Sequence, residues 1–478
     1  MTPEEFRHHA HEAVDWIVDY LKTIRERPVL PAVAPGELTR NLPAQGPEEG
    51  EPMEAILADF RNLIVPASTH WNHPGFHAYF ATSGSPPAIL GEMLCAAMNV
   101  NGMVWKSGPA ATELEQVTLR WLAEWMALPG AAAGEWFGMI TDTASTAGVH
   151  VLASARQRFD AAAKQRGNAG HAYTVYASEL AHSFVDKAAM TVGFGADAVR
   201  KVPVDGKFAM RADQLAGMIA ADRAAGRVPV AVVATIGTTS VASVDPVAEI
   251  AEVTSSPVAV AAAGAAGAAK LWLHVDAAYG GAAALSPRYR HHLAGCERAD
   301  SLVVNPHKWL ATPSDLCASY TRDPETLRAA FSLVPEYLRT AAHPAAVNLM
   351  DYSFQLGRRF RALKLWFVMR SYGRRGLAAM IERHCDMARA FAEALRADGR
   401  FEVVAPVEFS LVCFRWKASD EENRRRLEAI NAGGHAFLSH TEVERRYVVR
   451  MAVGNWQTNE DDMARLLGEV KALAGGES

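Results

Sequence analysis

Leu271-Trp-Leu-His-Val-Asp-Ala-Ala-Tyr-Gly280 and Ser301-Leu-Val-Val-Asn-Pro-His-Lys-Trp-Leu310 carry the reading of this chain. Each opens on an apolar, partly β-branched run. Each then meets a polar residue, Asp276 in the first and Lys308 in the second. Short apolar runs bounded in this way read as buried strands. Two more precede them, Ala172-Tyr-Thr-Val-Tyr-Ala177 and Val230-Ala-Val-Val-Ala-Thr-Ile236. From about residue 138 to 320 such runs alternate with helical patterns, which predicts an α/β fold with a mostly parallel sheet covered on both faces. Ligands of such sheets bind beyond the strand C-termini. His182, Thr239, Asp276 and Lys308 all fall just after predicted strands.

The outer regions read differently. Phe6, Ala10, Val14, Ile17, Val18, Leu21 and Ile24 recur at helical spacing, so residues 4–26 are expected to form an amphipathic helix. A proline-punctuated stretch and a short helix near 51–65 follow. This segment has too little apolar surface to stand alone and is expected to pack on a partner subunit. Residues 110–128 form a further helix, with Leu114, Val117, Trp121, Trp125 and Leu128 on one face. Residues 254–269 are low in complexity and read as a surface loop or frayed helix. After a long helix near 357–371, β-like runs at 401–405, 410–416 and 446–453 predict a small α+β domain.

At 478 residues the chain exceeds a single simple core. The net charge of −5 leaves no basic footprint for nucleic acid and no polybasic membrane signal. There is no apolar signal-peptide core at the N-terminus and no apolar run of membrane-spanning length. The five cysteines are odd in number and form no Cys-x-x-Cys pair, so reduced thiols and a cytoplasmic location are expected.

The polar residues after the strands answer the parts of one cofactor. Lys308 follows an apolar strand and Asn-Pro-His, a poor context for a solvated lysine, and its amine can form a Schiff base with an aldehyde. Asp276 follows a run expected to be buried, where an unpartnered carboxylate is costly. A pyridinium N–H would partner it. Thr141-Asp-Thr-Ala-Ser-Thr-Ala-Gly148 opens a helix and offers free N–H groups and hydroxyls to a phosphate, and Thr239 adds a polar group. His182 could stack on a flat ring. Taken singly, each has a plain structural reading: a surface charge, a capping Asp, a well-capped helix, a core histidine. Together they point to pyridoxal phosphate (PLP). His70, His73 and His77 have metal-like spacing, but Trp71, Pro74, Phe76 and Tyr79 share their segment. A pocket wall is therefore expected there and no metal site. Gly193-Phe-Gly195 does not complete a dinucleotide fingerprint.

The chain resembles the group II PLP-dependent decarboxylases, and within them the aromatic-L-amino-acid decarboxylases, over about residues 1–470. Thr69-His-Trp71, Phe76-His-Ala-Tyr-Phe80, Thr112-Glu-Leu-Glu115, Phe208-Ala-Met-Arg211, Leu273-His-Val-Asp-Ala-Ala278, Asn305-Pro-His-Lys-Trp309 and Leu356-Gly-Arg-Arg-Phe-Arg361 carry the resemblance. It implies the aspartate-aminotransferase-type PLP transferase fold (fold type I). Residues 1–85 would be a helical segment packing on the partner, 86–365 the large PLP-binding domain and 366–478 the small domain. It also implies a homodimer with active sites at the interface. By position, Ala144 and Ser145 would hold the phosphate. His182 would stack on the ring, Asp276 would pair with its nitrogen and Ala278 would pack on the other face. Asn305 and His307 would line phosphate and ring, and Lys308 would hold the aldehyde. Trp71, Tyr79, Phe80, Thr82 and Gly357 match the substrate pocket. Pro335-Glu-Tyr-Leu338 resembles the family's catalytic loop, with Tyr337 at the position of the protonating tyrosine. Tyr337 and His182 together favour simple decarboxylation of tryptophan, 5-hydroxytryptophan, phenylalanine, tyrosine or dopa over oxidative deamination to an aldehyde. Transamination and a non-catalytic scaffold are weaker readings.

Overall fold

The computed structural model describes residues 1–168, 170–257, 259, 270–333 and 346–475. Its centre is a seven-stranded sheet in the order β1-β7-β6-β5-β4-β2-β3. The strands are β1 (Phe137–Thr141), β2 (Tyr173–Ser178), β3 (Val199–Val202), β4 (Val228–Thr235), β5 (Trp272–Asp276), β6 (Ser301–Val304) and β7 (Cys317–Thr321). Neighbours from β3 across to β6 pair in parallel, while β7 runs antiparallel to both β6 and β1. The sheet is therefore mostly parallel, as expected. β2, β5 and β6 are buried along their full length, because helices cover both faces. That is why the four predicted runs read as continuous apolar stretches rather than alternating ones.

A second, antiparallel sheet has the order β10-β11-β9-β8, with β8 (Phe401–Val403), β9 (Leu411–Trp416), β10 (Ser439–Val443) and β11 (Arg446–Ala452). Its apolar face packs on Met387, Phe391 and Leu395 of the Ala362–Arg396 helix and on Leu466 and Val470 of the Glu460–Ala472 helix. β10 escaped the sequence reading: Ser-His-Thr-Glu-Val is polar and lies at the sheet edge, half in water.

Several element boundaries differ from expectation. The first helix spans Pro3–Lys22 and ends where the Thr23 hydroxyl bonds back to the Asp19 carbonyl; a 3₁₀ turn follows. The long helix begins at Ala362 rather than 357. Before it, Asn101 Oδ1 accepts from the Arg358 N–H at 3.0 Å, and the Gly102 N–H donates to the Arg358 carbonyl at 2.9 Å. This strand-like pairing, with Asn101 bridged to Arg359, keeps the stretch before Arg361 out of the helix. The expected boundary at 365/366 falls within that helix, which breaks at Gly373 (φ 64°). Most of the low-complexity insert, 258 and 260–269, lies outside the described residues, as does the 335–338 segment with Tyr337.

Candidate active site

β5 and β6 are hydrogen-bonded neighbours, with Asp276 in register with Val303. β5 ends on Asp276. β6 ends on Val304, and one short helical turn, Pro306–Trp309, then carries Lys308. Parallel pairing of two adjacent strands thus brings the carboxylate and the amine to the same edge of the sheet. β2 ends four residues before His182, and β1 ends at Thr141, just before the Ala144–Phe159 helix.

These strand ends enclose a cavity of about 180 Å³. Ala144, Ser145, His182, Thr239 and Asp276 line it, as do Ala278, Asn305, His307 and Lys308. Every residue expected to bind the cofactor therefore faces one space. Thr143, Phe184, Gly237 and Tyr279 line it too and were not singled out in the sequence. Gly237 has φ +89°, and a β-carbon there would sit 3.1 Å from the Tyr279 ring, so the turn after β4 requires glycine.

The polar groups are set for a bound molecule. Thr143 caps the helix by accepting from the Thr146 N–H at 3.4 Å. The first turn beyond the cap carries backbone N–H groups with no intrahelical acceptor, a ready phosphate site. Asp276 Oδ1 accepts from the Ala278 N–H at 3.1 Å. Asn305 Oδ1 is buried with no hydrogen-bond partner, a cost that a ligand donor would remove. His182 Nδ1 accepts from the Phe184 N–H at 3.0 Å. The neutral ring therefore carries its proton on Nε2. Burial, then the charge of Lys308, lowers the His182 pKa, which favours that neutral form. Burial also lowers the Lys308 pKa against the pull of Asp276, increasing the share of nucleophilic free amine. His307 is pushed down to about 4, chiefly by burial. Its Nδ1 stands 2.7 Å from the Leu316 carbonyl, to which the ring N–H donates. The aldehyde, ring nitrogen, ring face and phosphate of PLP each find a residue of suitable chemistry here.

An aromatic stack adjoins Lys308. Phe80 lies on Tyr279 with ring centroids 3.7 Å apart, and Tyr279 lies on Trp309 at 4.5 Å. Lys308 Nζ stands 5.3 Å from the centre of Phe80. The Tyr279 hydroxyl bonds Ser410 Oγ at 2.5 Å, which ties the stack to the second sheet. Buried Arg450 of β11 makes a second tie, donating to the carbonyls of Thr239 at 2.6 Å and Ser240 at 3.0 Å. Tyr279 and Arg450 lacked a sequence signal because each acts through residues remote in the chain.

The other expected pocket residues stand apart from this cavity within one chain. Trp71 and Tyr79 stack at 5.9 Å in a partly exposed aromatic patch with Phe76. Thr82 is half-buried, and Gly357 borders Asn101 in open space. The three spaced histidines turn to separate partners: His70 to the Tyr20 hydroxyl, His73 to the Gly75 N–H and His77 to the Ala452 carbonyl. His274, within the β5 motif, is buried and bonded to Ser301 Oγ at 2.9 Å, a structural role.

Residues 35–417 match the pyridoxal-dependent decarboxylase conserved domain. The chain is 42% identical to bovine aromatic-L-amino-acid decarboxylase over 466 residues, which cover 95% of this chain and 92% of that protein. Its fold is similar to that of Oryza sativa TDC solved with PLP and tryptamine, with a TM-score of 0.91, 38% identity and coverage of 99% and 98% of the two chains. It is also similar to Rhodiola rosea 4-hydroxyphenylacetaldehyde synthase, with a TM-score of 0.89, 34% identity and coverage of 99% and 98%.

Proposed function

The chain belongs to the pyridoxal-dependent decarboxylase family, and from that membership we propose that it converts an aromatic L-amino acid to the corresponding arylalkylamine and carbon dioxide. It is a PLP-dependent carboxy-lyase. The observation that carries the reading is the meeting of Lys308, Asp276 and His182 with the phosphate-ready helix start around one cavity.

When bound, PLP supplies an aldehyde for the substrate amine and a protonated ring that takes up the electron pair left by carbon dioxide. The residues do the rest. Lys308 would hold the cofactor through its amine. Asp276, whose Oδ1 accepts from the Ala278 N–H, would pair with the ring nitrogen and keep it protonated. The first turn of the Ala144–Phe159 helix, Ser145 and Thr239 take the phosphate. Asn305 and His307 would line phosphate and ring, while His182 and Ala278 would cover the two ring faces. His182, protonated on Nε2, orients the reacting groups by donating that proton in a hydrogen bond. Tyr337, which enters from its sequence motif alone, returns a proton to the substrate α-carbon.

Phe80 supplies apolar area beside Lys308. We assign Trp71, Tyr79, Thr82 and Gly357 to a substrate wall completed between two copies of the chain. Phe6, Val14 and Val18 on the first helix, and Leu90, Leu94 and Met98 on the Pro86–Met98 helix, are exposed and apolar, as a homodimer contact would require. No described helix is long and apolar enough to cross a membrane. The five free, buried thiols fit a reducing, cytoplasmic setting.

The test is to incubate the PLP-loaded protein with tryptophan, 5-hydroxytryptophan, phenylalanine, tyrosine and dopa and to identify the products. Amine with equimolar carbon dioxide is expected. Aldehyde, ammonia and peroxide as the main products would replace this reading with an oxidative one. Lys308→Ala should lose both the visible cofactor absorbance and turnover; full activity in that variant would remove Lys308 from its role.

A further inference from the structure

The Pro3–Lys22 helix carries Arg7-His-His-Ala-His-Glu12 in its first turns. His8, His9 and Glu12 each present a ligand atom, all within 4.8 Å of one another. Metal–ligand bonds of about 2.0–2.2 Å place neighbouring ligand atoms roughly 3–4 Å apart, so a small turn of the exposed His8 side chain closes the set. The His8 and His9 rings already meet edge to face, with centroids 5.0 Å apart.

His9 is the informative member. Its Nδ1 is buried, makes no hydrogen bond and lies 3.5 Å from Glu12 Oε2. On the other side of the ring, Nε2 lies 3.7 Å from Glu54 Oε1, a residue of the Met53–Asp59 helix. A carboxylate behind a histidine, with the opposite nitrogen free of hydrogen bonds, is the arrangement that orients imidazole ligands toward a metal. Glu12 Oε1 is engaged by Arg61, leaving Oε2 on the His9 side.

We propose that His8, His9 and Glu12 form a binding site for a zinc-class transition metal, with Glu54 orienting His9. Two imidazoles and one carboxylate suit zinc over magnesium or calcium, which prefer all-oxygen shells. The ligands come from the first helix and their supports, Glu54 and Arg61, from the Met53–Ile64 segment. The metal therefore clamps these two pieces of the N-terminal region together. At roughly 100° per residue, the exposed apolar stripe of Phe6, Val14 and Val18 lies on the opposite side of the helix from His8 and Glu12. A copy docked on that stripe leaves the metal site open. The site is independent of the decarboxylase reading.

Calorimetric titration of zinc chloride into the chelator-treated, PLP-loaded enzyme tests it. All five cysteines are buried, so thiols do not compete. One zinc per chain is expected. His8→Ala and His9→Ala should each abolish binding, and Glu54→Gln should weaken it by about 10–100-fold. His11→Ala should leave it unchanged. Zinc should raise the unfolding temperature of the wild type and not that of His8→Ala. Unchanged visible cofactor absorbance shows that each variant is folded. Absence of zinc binding to the wild type, binding that persists in both His8→Ala and His9→Ala, or loss confined to His11→Ala would overturn the proposal.

Discussion

Replacing Glu115 by alanine strands a buried charge, and the structure sets the scale of the damage. Glu115 and Arg358 have side chains only 5% and 6% exposed, with Oε1 2.6 Å from Nη2. The same Oε1 accepts from the Ile140 N–H at 2.7 Å, and Arg358 Nη2 donates to the Ile140 carbonyl at 3.0 Å. The pair thus clasps the end of β1, three residues before Thr143 enters the cofactor cavity. Burial raises the Glu115 pKa in spite of Arg358. Desolvation therefore outweighs the attraction, and the pair adds little as a pair. Breaking it is another matter: an uncompensated buried guanidinium costs about 3–5 kcal/mol. Glu115→Ala should lower stability by that amount, and Glu115→Leu combined with Arg358→Met should recover most of the loss. Urea unfolding of the PLP-loaded enzyme, followed by tryptophan fluorescence at fixed protein concentration, measures both. A single variant that loses less than about 1 kcal/mol would refute the reasoning. So would a double variant as unstable as the single, since removing the stranded charge would then have changed nothing.

Asp245 is pushed up to about 7 by burial, against hydrogen bonds from the Met210 and Thr235 N–H groups. The folded state therefore holds a proton that the unfolded chain releases near 3.8. Its contribution is full below that pH and is lost as pH rises toward about 7, on the order of 4 kcal/mol at about 1.4 kcal/mol per pH unit. Denaturation midpoints across this range should fall with pH in the wild type and flatten in Asp245→Asn. Gly148→Ala should weaken PLP affinity in equilibrium dialysis, because the new β-carbon would stand within 2.6 Å of the Phe184 ring, on the cavity wall. Unaltered affinity would show that Phe184 can retreat. Arg450→Met should also reduce PLP affinity, since Thr239 loses its anchor to the second sheet; a cofactor titration monitored by absorbance reads this directly.

Much of the site was legible in the chain because its residues follow strands whose burial is written locally. The apolar opening of the Ser301–Leu310 stretch is β6; Lys308 could be placed after its strand, and Asp276 at the end of its own, without knowing the sheet order. The motifs 112–115 and 356–361 were equally visible, but only as resemblances. Their physical reason, the Glu115–Arg358 clasp around Ile140, appears once the two segments are brought together. Tyr279 and Arg450 were missed for the same reason, as was edge strand β10, whose polar sequence carries no burial pattern.

Local sequence by itself determined four of the seven central strands, β2, β4, β5 and β6, and the polar residue types at their ends, because burial and backbone preference act within a few residues; β1, β3 and β7 were not read from it. The tertiary structure decided what those residues can do together. Parallel pairing of β5 with β6 puts Asp276 and Lys308 on one rim. The Phe80–Tyr279–Trp309 stack joins three distant segments beside the amine. Burial shifts Lys308 and His182 toward their neutral forms. Desolvation and stacking depend on the distances between groups far apart in the chain, and only folding sets those distances.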